Sequence, residues 1–306
     1  MASPLRPSLS DRLRPAVVPA GAAIVAVVLA GCGSNAAGGG PHLNWNYFFD
    51  SVFHPDGQIR FGLWLTVSIA ITSQLIGVIL GTFAALGKMA KFRPFRIMAN
   101  IYIWFFRGTP LVVQIVFFYF GLSVARIYGW PEINILGFGI DGAIQAGIFA
   151  LGVNEGAYFA EIVRAGILSI DPGQMEAAKS LGMTYAQSMR RIVLPQAARV
   201  IVPPLGNEFN NMLKTTSLLV LISVPELYTV FNRKQGNYFA PFEFYLAAAV
   251  WFLLLTTIWS FIQAWIERRL AKGTAGSATS GPGWRDRLFG RGQNPAEEVG
   301  LVSGGR

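Results

Sequence analysis

Residues 176–195 read EAAKSLGMTYAQSMRRIVLP, a polar and basic interruption between long apolar runs. Just upstream, Asp171-Pro172-Gly173 gives a helix start, since Asp caps free N–H groups and Pro is tolerated in the first turn. Glu176-Ala177-Ala178-Lys179-Ser180-Leu181 supplies good helix formers. Gly182 then ends the helix, as Gly does where the backbone needs positive φ. Thr184 and Gln187 have the spacing of a capping box that starts a second helix. That helix runs through Pro195 and carries Arg190, Arg191 and Arg199. Two short helices at an angle, with small side chains at Ala177 and Ala178, make a knob that can enter a cleft on a partner. A soluble helix-turn-helix has the same local pattern, so the flanking sequence has to separate the two.

The flanks are those of a membrane protein. The chain has 306 residues, of which 53% are hydrophobic and 13% charged, with a mean hydropathy of +0.45. That balance excludes an ordinary soluble enzyme and fits a polytopic membrane protein. The net charge of +9 raises nucleic acid as a partner. The basic residues lie beside apolar spans, however, so no nucleic acid is expected. The single cysteine, Cys32, excludes an internal disulfide. The two histidines, His42 and His54, precede the core spans and give no metal cluster.

The fold class that follows is all-α: five core transmembrane helices and one N-terminal hydrophobic segment. The core spans are expected near 63–87, 98–121, 143–167, 200–225 and 244–266. Lys88, Lys91, Arg93 and Arg96 follow the first; Lys179, Arg190 and Arg191 follow the third; Arg268, Arg269 and Lys272 follow the fifth. Alternating spans put all three sets on one side, which the positive-inside rule makes cytoplasmic. Arg126, Arg233 and Lys234 fall on the other. The core therefore enters from outside and ends inside, with residues 170–198 as a cytoplasmic loop.

Around this 61–272 domain the sequence divides simply. Residues 1–32 hold a basic lead and a weak apolar run ending in Leu29-Ala30-Gly31-Cys32, which resembles a lipoprotein signal with Cys32 as the lipidation site. An uncleaved first span is the other reading, favoured because lipidation is unusual in a polytopic membrane protein. Residues 33–60 form an extracytoplasmic linker and an aromatic interfacial segment with Trp45, Tyr47, Phe48, Phe49 and Phe53. Residues 273–306 are expected to be a disordered cytoplasmic tail.

The 176–195 stretch matches E-A-A-x3-G-x9-I-x-L-P at Glu176, Ala177, Ala178, Gly182, Ile192, Leu194 and Pro195. It resembles the cytoplasmic loop of permease subunits of ATP-binding cassette importers. Gly62-Leu63-Trp64-Leu65-Thr66 and Phe106-Arg107-Gly108-Thr109-Pro110-Leu111-Val112-Val113-Gln114 are similar to segments of the polar amino-acid branch. So are Asn154, Tyr158, Glu161, Arg164 and Gly166, then Pro204, Gly206 and Asn207, and then Lys214-Thr215-Thr216-Ser217-Leu218. The resemblance covers roughly residues 60–270, with Ala165 where Gly is common. It implies a bacterial cytoplasmic-membrane permease for a polar amino acid. It also implies a second permease subunit, homo- or heterodimeric, two ATPase subunits pushing on the EAA loop, and an extracytoplasmic substrate-binding protein. No cofactor is expected in this chain; ATP and Mg belong to the partner ATPase.

The same residues carry physical weight of their own. Arg107 and Glu161 lie within expected spans, where charge is costly and points to function. Counted along the helices, they lie about ten and five residues, or roughly 15 and 8 Å, from the inner surface. An Arg107–Glu161 ion pair that only fixes packing is therefore the alternative. Gly108-Thr109-Pro110 interrupts the second span and frees backbone carbonyls, to line a cavity or to be buried as a kink. Asn154, Tyr158, Glu161 and Ala165 share one helical face, as do Asn207, Asn211 and Lys214 beside Asn210 and Ser217. Two such faces can enclose a wet cavity. In it Glu161 can hold an ammonium, and Asn or Lys214 a carboxylate; interhelical hydrogen bonding is the bland reading. Substrate-path candidates are thus Arg107, Thr109, Gln114, Asn154, Tyr158, Glu161, Asn207, Asn211, Lys214 and Ser217.

An energy source within the chain is not apparent. Gly81 to Met89 superficially resembles a phosphate-binding loop, but it has five residues between its glycines and Met for Ser/Thr. Gly137-x-Gly139-x-x-Gly142 fits a dinucleotide fingerprint, but no strand is expected before it. No catalytic triad or dyad is available, so the chain is read as a transporter subunit. A secondary transporter or channel without an ATPase is the alternative, and it leaves the EAA segment unexplained.

Overall fold

The computed structural model describes residues 43–135 and 138–271. The expectations for Cys32, the N-terminal segment and the C-terminal tail lie outside these residues. The described elements are nearly all helical. They are α1 Trp45–Phe53, α2 Gly57–Met89, α3 Arg93–Gly108, α4 Leu111–Val116, α5 Gly142–Leu168, α6 Pro172–Ser180, α7 Tyr185–Ser188, α8 Leu194–Thr215, α9 Leu227–Tyr238 and α10 Pro241–Ala271. α4 continues through a π turn, Phe117–Gly121, to Val124. A second π turn, Met189–Val193, joins α7 to α8, and a 3-10 turn, Thr216–Ile222, follows α8.

Among the described residues two helices, α2 and α10, are each long and apolar enough to cross a membrane, or up to four if each bent pair counts as one. α5 is the third long helix, with 27 residues. One expectation is corrected in its geometry. The second core span is two pieces, turned by 104° at the break between α3 and α4. At ~1.5 Å per residue α3 alone covers roughly 24 Å, short of the ~30 Å hydrocarbon layer.

Two compact units divide the chain. Among the described residues, the first combines 43–60 with Val230–Val250. In it, Tyr47 stacks on Phe244 with centroids 5.6 Å apart, and Trp45 meets Phe242 edge-on. The Asn44 N–H donates to Glu243 Oε1 at 2.7 Å, and Lys234 pairs with Asp56. Glu243 is also in the first turn of α10, where a negative charge suits the helix dipole.

The second unit holds, among the described residues, Phe61–Thr229 and 251–271. Its centre is α5, buried at Ala146, Ala150, Ala157 and Ala160 among others. Small residues let α2 approach closely. A Cβ on Gly81 would lie 2.8 Å from the Gly156 carbonyl oxygen and 2.9 Å from the Ala160 nitrogen. Thr66 links α2 to the start of α9. Its hydroxyl accepts from Leu227 N–H at 3.0 Å, and the Glu226 carboxylate accepts from Tyr228 N–H and Thr229 N–H at 2.9 and 2.6 Å.

A short strand does precede the glycine-rich segment at residues 137–142, contrary to expectation. β1 Ile133–Ile135 pairs antiparallel with β2 Phe138–Ile140. A dinucleotide fingerprint needs a strand feeding a parallel βαβ unit, and this antiparallel pair is a different arrangement. The residues at 81–89 lie inside α2, so their glycines form no loop.

Candidate functional site

The site begins with a broken helix. Pro110 has no N–H, and Thr109 before it is extended (φ −112°, ψ 143°), as a residue before Pro prefers. The break leaves carbonyls of α3 without helical partners, and side chains take their place. Thr109 Oγ1 donates to Phe105 O at 2.9 Å. Gln114 Nε2 donates to Phe106 O, Thr109 O and Thr109 Oγ1 at 2.9, 3.1 and 2.8 Å. Asn154 Nδ2 donates to Phe106 O and Gln114 Oε1, both at 3.1 Å. Gln114 and Asn154 are buried, and their amides hold the break open against collapse.

The break lines one wall of a cavity of about 540 Å³. Arg107, Gly108, Thr109, Pro110 and Leu111 form that wall. Leu151, Asn154, Glu155 and Tyr158 come from α5 at i, i+3, i+4 and i+7; Glu208, Asn211, Met212 and Thr215 come from α8 at the same spacing. Each set is therefore one helical face. The Arg107 guanidinium lies over the Tyr158 ring, 5.2 Å from its centroid, and is in the last turn of α3, where a cation suits the helix dipole.

Of the expected path residues, Arg107, Thr109, Asn154, Tyr158 and Asn211 line this cavity. Gln114, Glu161, Asn207, Lys214 and Ser217 are not among its lining residues. The Arg107–Glu161 pair is corrected: Glu161 pairs with Lys88 and, at 2.9 Å, with Arg164. These cations stand nearer the C-terminal end of α5, while the break stops α3 at the level of Tyr158. Asn207 Oδ1 accepts from Gln263 Nε2 at 3.1 Å. Lys214 is exposed, and Ser217 Oγ donates to its carbonyl at 2.7 Å.

Glu155, Glu208 and Thr215 were missed by the sequence reading. A signal existed for the first two, because an ionisable residue within a span is itself a site indicator. Choosing the face through Asn154, Tyr158 and Glu161 turned attention one residue away from Glu155. The choice of Asn207 did the same for Glu208.

The 176–195 segment is built as its sequence prescribes. Asp171 caps α6 by accepting from Gly173 N–H at 2.8 Å. At the other end Gly182 has φ +80°. Gly182 N–H donates to Lys179 O at 2.9 Å and Met183 N–H to Ala178 O at 3.1 Å, the paired bonds of a Schellman motif. Thr184 and Gln187 complete a capping box for α7. Pro195 lies just inside α8, and the preceding π turn, with Leu194 N–H donating to Met189 O, gives its ring room. Glu176, Ala177 and Gly182 are exposed, as are Leu194 and Pro195, whereas Ile192 is half-buried. Ala178 corrects the expected knob: at 1% exposure it faces the protein's interior and not a partner. The most exposed of the segment's large apolar groups are Leu181 and Tyr185, at 82% and 62%.

Comparison with known proteins decides what this arrangement belongs to. The sequence model of the family described as "binding-protein-dependent transport system inner membrane component" matches residues 77–272. The chain belongs to this family. The transport component is 37% identical over 244 residues to an arginine transport system permease protein of Corynebacterium glutamicum, covering 77% of this chain and 75% of that protein. It is also 37% identical to an arginine transport system permease protein of Bacillus subtilis, covering 68% of this chain and 90% of the relative. A crystal structure described as an amino acid ABC transporter with histidines is 38% identical, with a TM-score of 0.63, over 72% of this chain and 98% of that one. The transport component is thus an all-α, multi-pass membrane protein of the polar amino-acid importer permease family.

Proposed function

We propose that this chain lets a polar amino acid cross the membrane through the cavity at the α3–α4 break. The chain is the permease subunit of an amino-acid ATP-binding cassette importer. The observation that carries the path is the cavity itself: a guanidinium, two carboxylates and hydroxyl and amide groups meet there in the middle of an apolar helical unit. Arg107 can hold an α-carboxylate, and a carboxylate of α5 or α8 the α-ammonium. Tyr158 keeps the guanidinium in place through its ring face.

The EAA segment is the coupling element of this reading. A rigid α6–α7 corner, fixed by the Gly182 turn and the capping box, presents Glu176, Ala177, Leu181 and Tyr185 on the cytoplasmic side. Two ATPase subunits dock there, hydrolyse ATP with Mg and move the corner. A second permease subunit completes the path, and an extracytoplasmic binding protein delivers the substrate. The chain itself does no catalysis, and its C-terminus is cytoplasmic.

Uptake into proteoliposomes holding the complete importer tests this. Tyr158→Ala should reduce uptake of a labelled amino acid while ATPase subunits still co-purify. Unchanged uptake would remove the cavity from the path. Uptake without any ATPase or ATP would remove the importer mechanism.

A further inference from the structure

We propose that a groove between α2 and α3 binds one anionic phospholipid of the inner leaflet, with an acyl chain along the groove and the phosphate on Lys91, Arg93 and Arg96. The groove has a volume of about 500 Å³ and shares no lining residue with the cavity at the α3–α4 break. α2 contributes Leu80, Phe83 and Gly87, and α3 contributes Phe95, Met98 and Tyr102. The three from α3 stand at i, i+3 and i+7, on one helical face. Tyr102 is the one polar side chain in the lining, and its hydroxyl already donates to Val153 O at 2.7 Å. The walls therefore offer contact to hydrocarbon and no free hydrogen-bonding group. Phe83 and Met98 are 69% and 67% exposed, so the groove opens outward from the helix pair. At ~1.5 Å per residue the stretch from Leu80 to Ala90 is roughly 15 Å long, half of the ~30 Å hydrocarbon layer. A groove one leaflet deep suits an acyl chain.

The groove ends at a run of cations. Lys91, Arg93 and Arg96 flank its lining residues Ala90 and Phe95, and all three are exposed. None of the three is in an ion pair among the described residues. The sequence holds no acid between Asp56 and Glu132 that could pair with them locally. Lys88, about one turn back, is already paired with Glu161, which Arg164 shares. α3 begins at Arg93 with no side-chain cap, so the helix dipole adds positive potential at the same place. The positive-inside rule puts this end at the cytoplasmic surface, where anionic headgroups lie.

The groove and the cations together single out the ligand. Cations beside a span are explained by topology alone, and without a groove they would attract headgroups diffusely. A groove without cations would accept any acyl chain. A zwitterionic lipid brings an ammonium that offsets its own phosphate, whereas an anionic lipid leaves its full charge to the three cations. A soluble phosphate ester would leave the apolar walls bare. A helix of a second permease would need acids set against Lys91, Arg93 and Arg96; an anionic phospholipid supplies chain and charge in one molecule.

The test is native mass spectrometry of the purified permease–ATPase complex, stripped of lipid in mild detergent. The complex is titrated with palmitoyl-oleoyl phosphatidylglycerol or with the matching phosphatidylcholine. Phosphatidylglycerol should fill one site per copy of this chain, about tenfold or more tighter than phosphatidylcholine. Lys91→Gln, Arg93→Gln and Arg96→Gln should each weaken it about fivefold, the equivalent of ~1 kcal/mol per cation near the surface, and leave phosphatidylcholine unchanged. Gly87→Leu, which fills the groove, should weaken both lipids. Gly87→Ala is its control, because a Cβ there makes only ordinary contact, 3.4 Å from the Ala99 Cβ; thermal unfolding checks that both variants fold. Equal affinity for the two lipids, or a preference that survives all three Gln variants, would overturn the proposal. Displacement of phosphatidylglycerol by an equal concentration of sn-glycerol 3-phosphate would overturn it too, by showing that charge alone binds. Lipid binding indifferent to Gly87→Leu would mean that the second permease or detergent occupies the groove, and the site would fall.

Discussion

The guanidinium of Arg107 lies over the ring of Tyr158, 5.2 Å from its centroid, and joins the broken end of α3 to the centre of α5. The contact needs an aromatic face and not the phenol hydroxyl. Tyr158→Phe should therefore retain transport. Tyr158→Leu should lose about 0.5–2 kcal/mol of positioning, a several-fold rise in apparent KM for uptake. Equal kinetics for Phe and Leu variants would show that the ring face does nothing.

Gly182 turns the corner between α6 and α7 with φ +80°, and a Cβ there would meet open space. A side chain is thus opposed by backbone conformation alone, at about 1–2 kcal/mol. Gly182→Asp should insert normally yet transport less amino acid per ATP hydrolysed, because the corner is no longer fixed. The ratio of uptake to phosphate release in proteoliposomes measures this. A normal ratio would mean that the corner does not transmit the motion.

Glu161 holds Lys88 of α2 and Arg164 of α5. It sits away from the cavity, so Glu161→Gln should lower the unfolding temperature of the complex and leave the apparent KM unchanged. The exchange Lys88→Glu with Glu161→Lys should recover part of the loss. A raised KM with an unchanged unfolding temperature would return Glu161 to the substrate path.

The α2–α5 crossing depends on glycine. Gly81→Ala would force a methyl against the Gly156 carbonyl oxygen at 2.8 Å and should cost about 1–3 kcal/mol. Gly57→Ala, which meets nothing within 4 Å, is the matched control. Thermal unfolding in detergent should separate them by several degrees.

Asp56, which precedes α2, carries the pH prediction. Burial raises its carboxyl pKa, but the hydrogen bond and charge of Lys234 with the backbone donors bring it below the ordinary 3.8. A depressed folded-state pKa stabilises fully above the unfolded value and is lost as pH falls through the folded one. The stability gap between the native chain and Asp56→Asn should be constant down to about pH 4 and close at lower pH. A gap independent of acid would rule out ionic stabilisation by Lys234.

How far the sequence reached depends on the range of the forces involved. Apolar runs, the capping box at Thr184 and Gln187, and the glycine at 182 are local signals, and local signals were sufficient for most of the helices and for the caps of the α6–α7 corner. The motif residues were enough to reach the family. Chain order could not say which groups meet. Helical counting placed Arg107 within reach of Glu161, but the 104° break sent it to Tyr158 and left Glu161 to Lys88. Period alone put Asn154, Tyr158 and Glu161 on one face; the position of α8 decided that the cavity face is Leu151, Asn154, Glu155 and Tyr158. Ala178 looked like part of an exposed knob and is buried by packing. The sequence by itself determined the long helices, the caps of the α6–α7 corner and the class of membrane machine, because backbone preference and hydrophobicity act over a few residues. Only the tertiary structure decided the charge partners and the cavity lining, because those depend on a bend and on helix crossings between residues about fifty apart in the chain.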